Sequence, residues 1–260
     1  MHTDWIMFTR KVLNFQKNNL NRLRRIMRLY YQGFDALFVL NTDHQKWLTG
    51  REMGFDQSKV FLTAHWADKI FSPQKVSKSE VYNVGNDEPV LLFAGRVSQE
   101  KGVNEIPDIY NKAKELVPKL RLVIAGTGPY EEELIKVIPD AVFLGWVDHD
   151  KLPEVYSAAD LLILPSKFDT FSCVVLESMS CGLPVVAYKS KGPKDIIEDE
   201  KNGYLVTTPD EMIQCIQDYF SDPDMQASLK EGALLRSAEY NKDAIISRFI
   251  SDTGMNQRTS

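Results

Sequence analysis

The chain has 260 residues, of which 43% are hydrophobic, 26% charged and 10% aromatic, and it carries a net charge of −5. This composition permits a sizeable core and excludes a mainly disordered chain. No stretch reaches the roughly 18 consecutive apolar residues that a membrane-spanning helix needs. The opening MHTDWIMFTRK lacks the basic start, apolar core and small-residue cleavage site of a secretory signal. Three cysteines, Cys173, Cys181 and Cys215, occur without a CxxC pair, which fits a reducing compartment. The four histidines, His2, His44, His65 and His149, are scattered, so no protein-held metal or cofactor is expected.

In chain order, the first feature is a basic stretch. Residues 1–40 hold seven Lys or Arg and two acids, while the remainder holds 24 basic and 34 acidic residues. Arg10, Lys11, Lys17, Arg22, Arg24, Arg25 and Arg28 lie among Leu13, Leu20, Leu23, Ile26, Met27 and Tyr30, which recur at helical spacing. Such a helix either docks on an anionic membrane surface through residues 10–28 or presents a solvated face over a local core. Next, residues 35–41 and 59–64 read as strands with a helix at 42–52 between them. Two prolines, Ser-Lys steps and an Asn-rich turn between Phe71 and Pro89 suggest a linker, placed at residues 74–89.

From residue 89 the text alternates. Apolar runs at 89–95, 120–126, 141–145, 161–165, 183–188 and 203–206 read as strands. Helical patterns fill the gaps, at 102–117, 130–138, 150–159, 173–181, 193–199 and 209–221, and helices follow at 224–239 and 242–251. Continuous apolar strands between amphipathic helices predict a doubly wound α/β domain with a parallel sheet. The expected organisation is a partial Rossmann-like domain at 1–73, the linker at 74–89, the main domain at 90–240, and a helix with a tail at 241–260.

Ligands of such sheets bind beyond the carboxyl ends of the strands. There the sequence places Gly95 and Arg96, with Lys101 five residues on, and two cations in that position can grip a diphosphate. After the next strand, Gly126 and Gly128 allow backbone to approach a ligand, although the third glycine of a dinucleotide fingerprint is missing. The strongest segment is LPSKFDTFSCVVLESMSCGLPVVA. Its loop acid Asp169 precedes a helix that starts near Ser172, and Glu177 lies eight residues after Asp169. Free amides at that helix start attract phosphate, Glu177 can accept from a ribose diol, and Asp169 from sugar hydroxyls. The alternatives are a helix-dipole role for Glu177 and a cap for Asp169. Asp148-His149-Asp150 spells DxD but precedes a helix at Lys151-Leu-Pro, where aspartates serve as caps.

GRVSQEKG, GTGP and the Asp-x7-Glu segment ending in GLPVVA match, in order and spacing, the retaining glycosyltransferases of the GT-B fold grouped as glycosyltransferase family 4. The resemblance covers roughly residues 89–206 and implies a GT-B protein. It implies that Arg96 and Lys101 neutralise the donor diphosphate, Glu177 holds the ribose, Asp169 contacts the sugar, and Val147 seats the base through its backbone. The amides of Phe171 and Ser172 would border sugar and phosphate. Two departures stand out: Asp169 replaces the usual Glu, and Ser172 replaces a frequent Gly. HTDW resembles a His-Thr segment near the family's donor sugar, making His2 a candidate catalytic residue beside Asp169, Arg96 and Lys101. It also implies that about 100 residues of an acceptor domain are missing.

The implied reaction moves a sugar from a nucleoside-diphosphate sugar to a hydroxyl on a glycan or lipid, with retention and without a metal. Nucleic acid is not expected as a partner. The expected location is cytoplasmic, with peripheral binding to the inner face of a membrane if the basic stretch docks there. The rival readings are a non-catalytic nucleotide-sugar-binding fragment and one half of a split enzyme. A sugar-nucleotide epimerase or phosphorylase lacks its expected acid/base or phosphate groups here, and the missing third glycine disfavours a nicotinamide enzyme.

Overall fold

The computed structural model of the chain describes residues 17–254. His2, Arg10, Lys11 and Leu13 lie outside the described residues. The chain forms two compact units, one running from Ala67 to Asn241 and the other comprising the described residues up to Trp66 together with those from Lys242.

The larger unit is built on six parallel strands: β3 (Val90–Ala94), β4 (Arg121–Ala125), β5 (Val142–Gly145), β6 (Leu161–Leu164), β7 (Val185–Tyr188) and β8 (Gly203–Val206). Their order is β5-β4-β3-β6-β7-β8. The order reverses between β3 and β6, so a switch point lies at the sheet centre, where α/β folds bind ligands. Every residue of β3, β6 and β7 is buried, which is why these strands read as unbroken apolar runs. Leu91, Phe93, Leu122, Ile124, Leu161 and Ile163 share one core cluster with Ile106, Ile109 and Tyr110 of α4 (Ile106–Leu116) and Met212, Ile213 and Ile216 of α9 (Pro209–Ser221). Side chains alternate across a strand, so Leu92, Val123 and Leu162, also fully buried, face the opposite side. On the described residues this is the doubly wound sheet that the alternation predicts.

The stretch read as a linker is stitched to this unit. Ser77 and Glu80 form a reciprocal capping box that starts a short helix, α3 (Lys78–Tyr82). Lys78 pairs with Asp160 at 2.6 Å. Tyr82 is buried and donates its hydroxyl to the Val155 carbonyl. A buried tyrosine and a paired lysine thus hold the segment that its composition marks as a linker.

The smaller unit has two parallel strands, β1 (Leu37–Val39) and β2 (Val60–Leu62), with α1 (Lys17–Tyr31) and α2 (Thr42–Thr49). Its core is small: Met27, Val39, Leu48, Met53 and Val60. The last helix, α11 (Lys242–Thr253), belongs to this unit. Phe249 packs on Phe38 with ring centroids 4.3 Å apart, and the Lys242 ammonium sits 5.9 Å from the Trp66 ring centre. No described helix is long and apolar enough to cross a membrane.

Candidate functional site

At the carboxyl ends of β3, β4 and β5 lies a cavity of about 520 Å³. Gly95 and Arg96 line it from the end of β3, Gly126 and Gly128 from β4, and Val147 from β5. Glu177 closes it from α7 (Cys173–Ser180). The structure therefore brings together six of the residues that the sequence singled out.

Glycine is needed here for close approach. Gly126 has φ +139°, and a Cβ on it would stand 2.0 Å from the Gly95 carbonyl oxygen. The loops after β3 and β4 can touch only because position 126 carries no side chain at that contact. Arg96 reaches outward, with 69% of its side chain exposed and Glu100 4.0 Å away. At that exposure the pair is weak, which leaves the guanidinium available to an anion.

Lys101 and Asp169 do not line the cavity. They face each other, 2.5 Å apart, from the segments following β3 and β6. Asp169 is buried, and its second carboxylate oxygen, Oδ2, has no partner among the described residues. The cap role is ruled out for Asp169, because α7 is capped by Ser172 without a side-chain hydrogen bond. Ser172 takes φ +76°, a left-handed conformation that favours glycine. The departure at position 172 thus places a serine where backbone geometry asks for glycine. Phe171 is buried, with its ring 6.2 Å from that of Tyr240. Gly192 backs this loop: its amide donates to the Asp169 carbonyl at 2.9 Å, and a Cβ there would meet Phe171 backbone at 2.6 Å.

Glu177 does not sit in the first turn of its helix, so the helix-dipole alternative fails. Its carboxyl is held above the usual carboxylate range mainly by burial, against the opposing effects of a hydrogen bond from Tyr156 and the charge of His149. Tyr156, on α6 (Leu152–Ala158), donates to Glu177 Oε2 at 3.0 Å and also lines the cavity. Burial, then Glu177, push its phenol upward, so it stays a donor.

The aspartates of DxD do not cap α6. The cap position is Lys151 with no side-chain bond, and Asp148 instead accepts from the Trp146 indole at 3.2 Å. Among the described residues no group of three His, Cys, Asp or Glu is placed to hold a metal ion.

Sequence reading missed Tyr156, Trp146 and Gly192. Tyr156 is one aromatic in an amphipathic helix and carries no spacing signal. Trp146, beside the expected Val147, lines the cavity while 77% exposed. Gly192 precedes Pro193, a turn signal that in sequence marks only a helix start.

The family profile described as "Glycosyl transferases group 1" matches residues 75–236, more than half of the chain. The chain belongs to the group 1 glycosyl transferases. Among relatives of this family, it is 34% identical over 154 residues to the sulfoquinovosyl transferase SQD2 of Arabidopsis thaliana, covering 56% of this chain and 29% of the relative. It is 31% identical over 224 residues to the alpha-D-kanosaminyltransferase of Streptomyces kanamyceticus, covering 80% of this chain and 58% of that one. The chain therefore spans well under two thirds of these relatives' length. Anabaena Alr3699/HepE, solved in complex with UDP, superimposes with a TM-score of 0.80 at 21% identity, over 94% of this chain and 69% of HepE. The fold is that of the GT-B glycosyltransferases.

Proposed function

We propose that this group 1 glycosyl transferase binds a nucleoside-diphosphate sugar in the cavity after β3, β4 and β5 and transfers the sugar, with retention, to a hydroxyl of a glycan or lipid. The observation that carries the reading is the convergence of Arg96, the Gly126–Gly128 turn, Val147 and Glu177 on one cavity at the switch point. Each has a matching ligand part: diphosphate for Arg96, close backbone approach for the glycines, base for Val147, and ribose diol for Glu177. Lys101, released from Asp169, would add a second cation on the departing diphosphate, and Asp169 would turn to the sugar hydroxyls. In transfer, the bond from the anomeric carbon to the phosphate oxygen breaks, a bond to the acceptor oxygen forms, and the acceptor proton passes to the phosphate. Stabilising the leaving diphosphate by fixed cations and helix amides is the main contribution expected of the protein. The reaction so written needs no further cofactor.

Calorimetric titration of the chain with UDP, GDP and ADP, each alone and as sugar conjugates, tests this reading. UDP is the first choice, because HepE binds it. One nucleotide should bind, and Glu177→Ala should weaken it at least tenfold, the loss expected for a hydrogen bond to a charged group. Absence of binding by all of them would sink the reading.

The acceptor side has one supporting observation. On α1, Arg22, Arg25 and Arg28 are exposed, as are Ile26, Leu29 and Tyr30. This mixture suits an anionic membrane surface. Arg24 is drawn inward by Glu52 at 3.0 Å, so it leaves the basic set. Binding to anionic vesicles at low salt should fall when Arg22, Arg25 and Arg28 are replaced together; no binding at low salt would end the membrane reading.

A further inference from the structure

A carboxylate that must accept from two ribose hydroxyls has to be held in one orientation, and Glu177 alone is not. Its side chain has three rotatable bonds, and burial disfavours its charged form. Tyr156 supplies what is missing. Its hydroxyl donates to one oxygen of Glu177, Oε2, at 3.0 Å. The ring is fixed, with Tyr156 only 1% exposed, and its centroid lies 6.0 Å from that of Phe71. The helix carrying it is pinned by the bond from Tyr82 to the Val155 carbonyl. Both Tyr156 and Glu177 line the cavity.

We propose that Tyr156 is a positioning residue for donor binding: its hydroxyl holds Glu177 Oε2 so that the carboxylate faces the cavity and accepts from the ribose diol of a nucleoside diphosphate. This rests on the donor-site reading above, and it adds that ribose selectivity depends on a side chain one helix away from the acid that makes the contact. A donated hydrogen bond also favours the charged carboxylate, the form that accepts. Removing it moves the titration of Glu177 further upward, so ribose binding should fail at a higher pH than in the unaltered chain.

The experiment titrates the full chain, Tyr156→Phe and Glu177→Ala with UDP, GDP and ADP and with their 2′,3′-dideoxy forms, across the acid-to-neutral range. The expected result is roughly fivefold to tenfold weaker binding of the ribonucleotide by Tyr156→Phe, the effect of one hydrogen bond. Dideoxy binding should be unchanged, and the acid limb of ribonucleotide binding should shift upward in pH. Equal weakening of ribo and dideoxy forms would mean a merely structural tyrosine and would overturn the proposal. So would normal ribonucleotide binding by Tyr156→Phe where Glu177→Ala binds poorly, an outcome that leaves the donor site standing. If the unaltered chain binds no nucleoside diphosphate, the donor reading itself falls, and this inference with it.

Discussion

The two units use the same elements, parallel strands and helices, in very different depth. In the larger unit, Val90, Leu91, Leu92 and Phe93 of β3 are all fully buried. In the smaller, β1 and β2 are three residues each, and one residue of each is buried. A strand covered on both faces brings its own stability; a short pair covered on one side depends on whatever packs over it. The difference teaches where chemistry can be held rigidly. Most cavity residues hang from the ends of the deeply buried β3 and β4 or from α6 and α7, which keeps a site more precise than loops alone would.

Core truncation should expose this contrast most strongly. Leu122→Ala in β4 removes a fully buried side chain and should cost about 2–5 kcal/mol in denaturant unfolding. Leu37→Ala in β1, only partly buried, should cost about 1 kcal/mol; equal losses would break the comparison. Next in size, Lys101→Met leaves Asp169 without its cation. Lys101 is about a third exposed, so the loss should fall below that of a fully buried pair, at about 1–3 kcal/mol. The same variant should lose affinity for nucleoside diphosphate in a titration.

Relief of backbone strain gives a smaller effect of opposite sign. Ser172→Gly should raise stability by up to about 1 kcal/mol, the left-handed penalty less the entropy of a new glycine. A thermal melt that shifts downward would mean that the serine hydroxyl makes a contact worth more than the strain. The smallest expected effect concerns pH. Glu177 is raised on folding, so its contribution to stability is fully present below its unfolded pKa and is lost as pH rises through the folded one. Glu177→Gln should therefore melt higher than the unaltered chain at neutral pH, with the gain vanishing in acid, while weakening nucleotide binding. A gain that is the same at every pH would show that burial of charge is not its source.

Much of the fold was legible for one physical reason: β3, β4, β6 and β7 are covered on both faces and so are written as apolar runs. The capping box of α3 was legible too, as Ser-x-x-Glu at 77–80, but the prolines around it drew the reading toward a linker. Within the site, residues carried by local spacing were readable: Arg96, the glycine pair and Glu177. The pairings were not. Lys101 and Asp169 lie 68 positions apart, and Tyr156 and Glu177 lie 21 apart; only the folded sheet decides which of them meet.

The return of the last helix to the first unit sets an order of assembly. Synthesis releases the chain from its N-terminus, and units fold as their residues emerge. The larger unit, ending at Asn241, is complete before Lys242–Thr253 has been made. The smaller unit cannot seat Phe249 on Phe38 until residue 249 has been made. Of the two units, the one whose strands are made earlier is thus finished second, and a chain stopped at Asn241 should retain the cavity of the larger unit while the smaller unit lacks one of its helices.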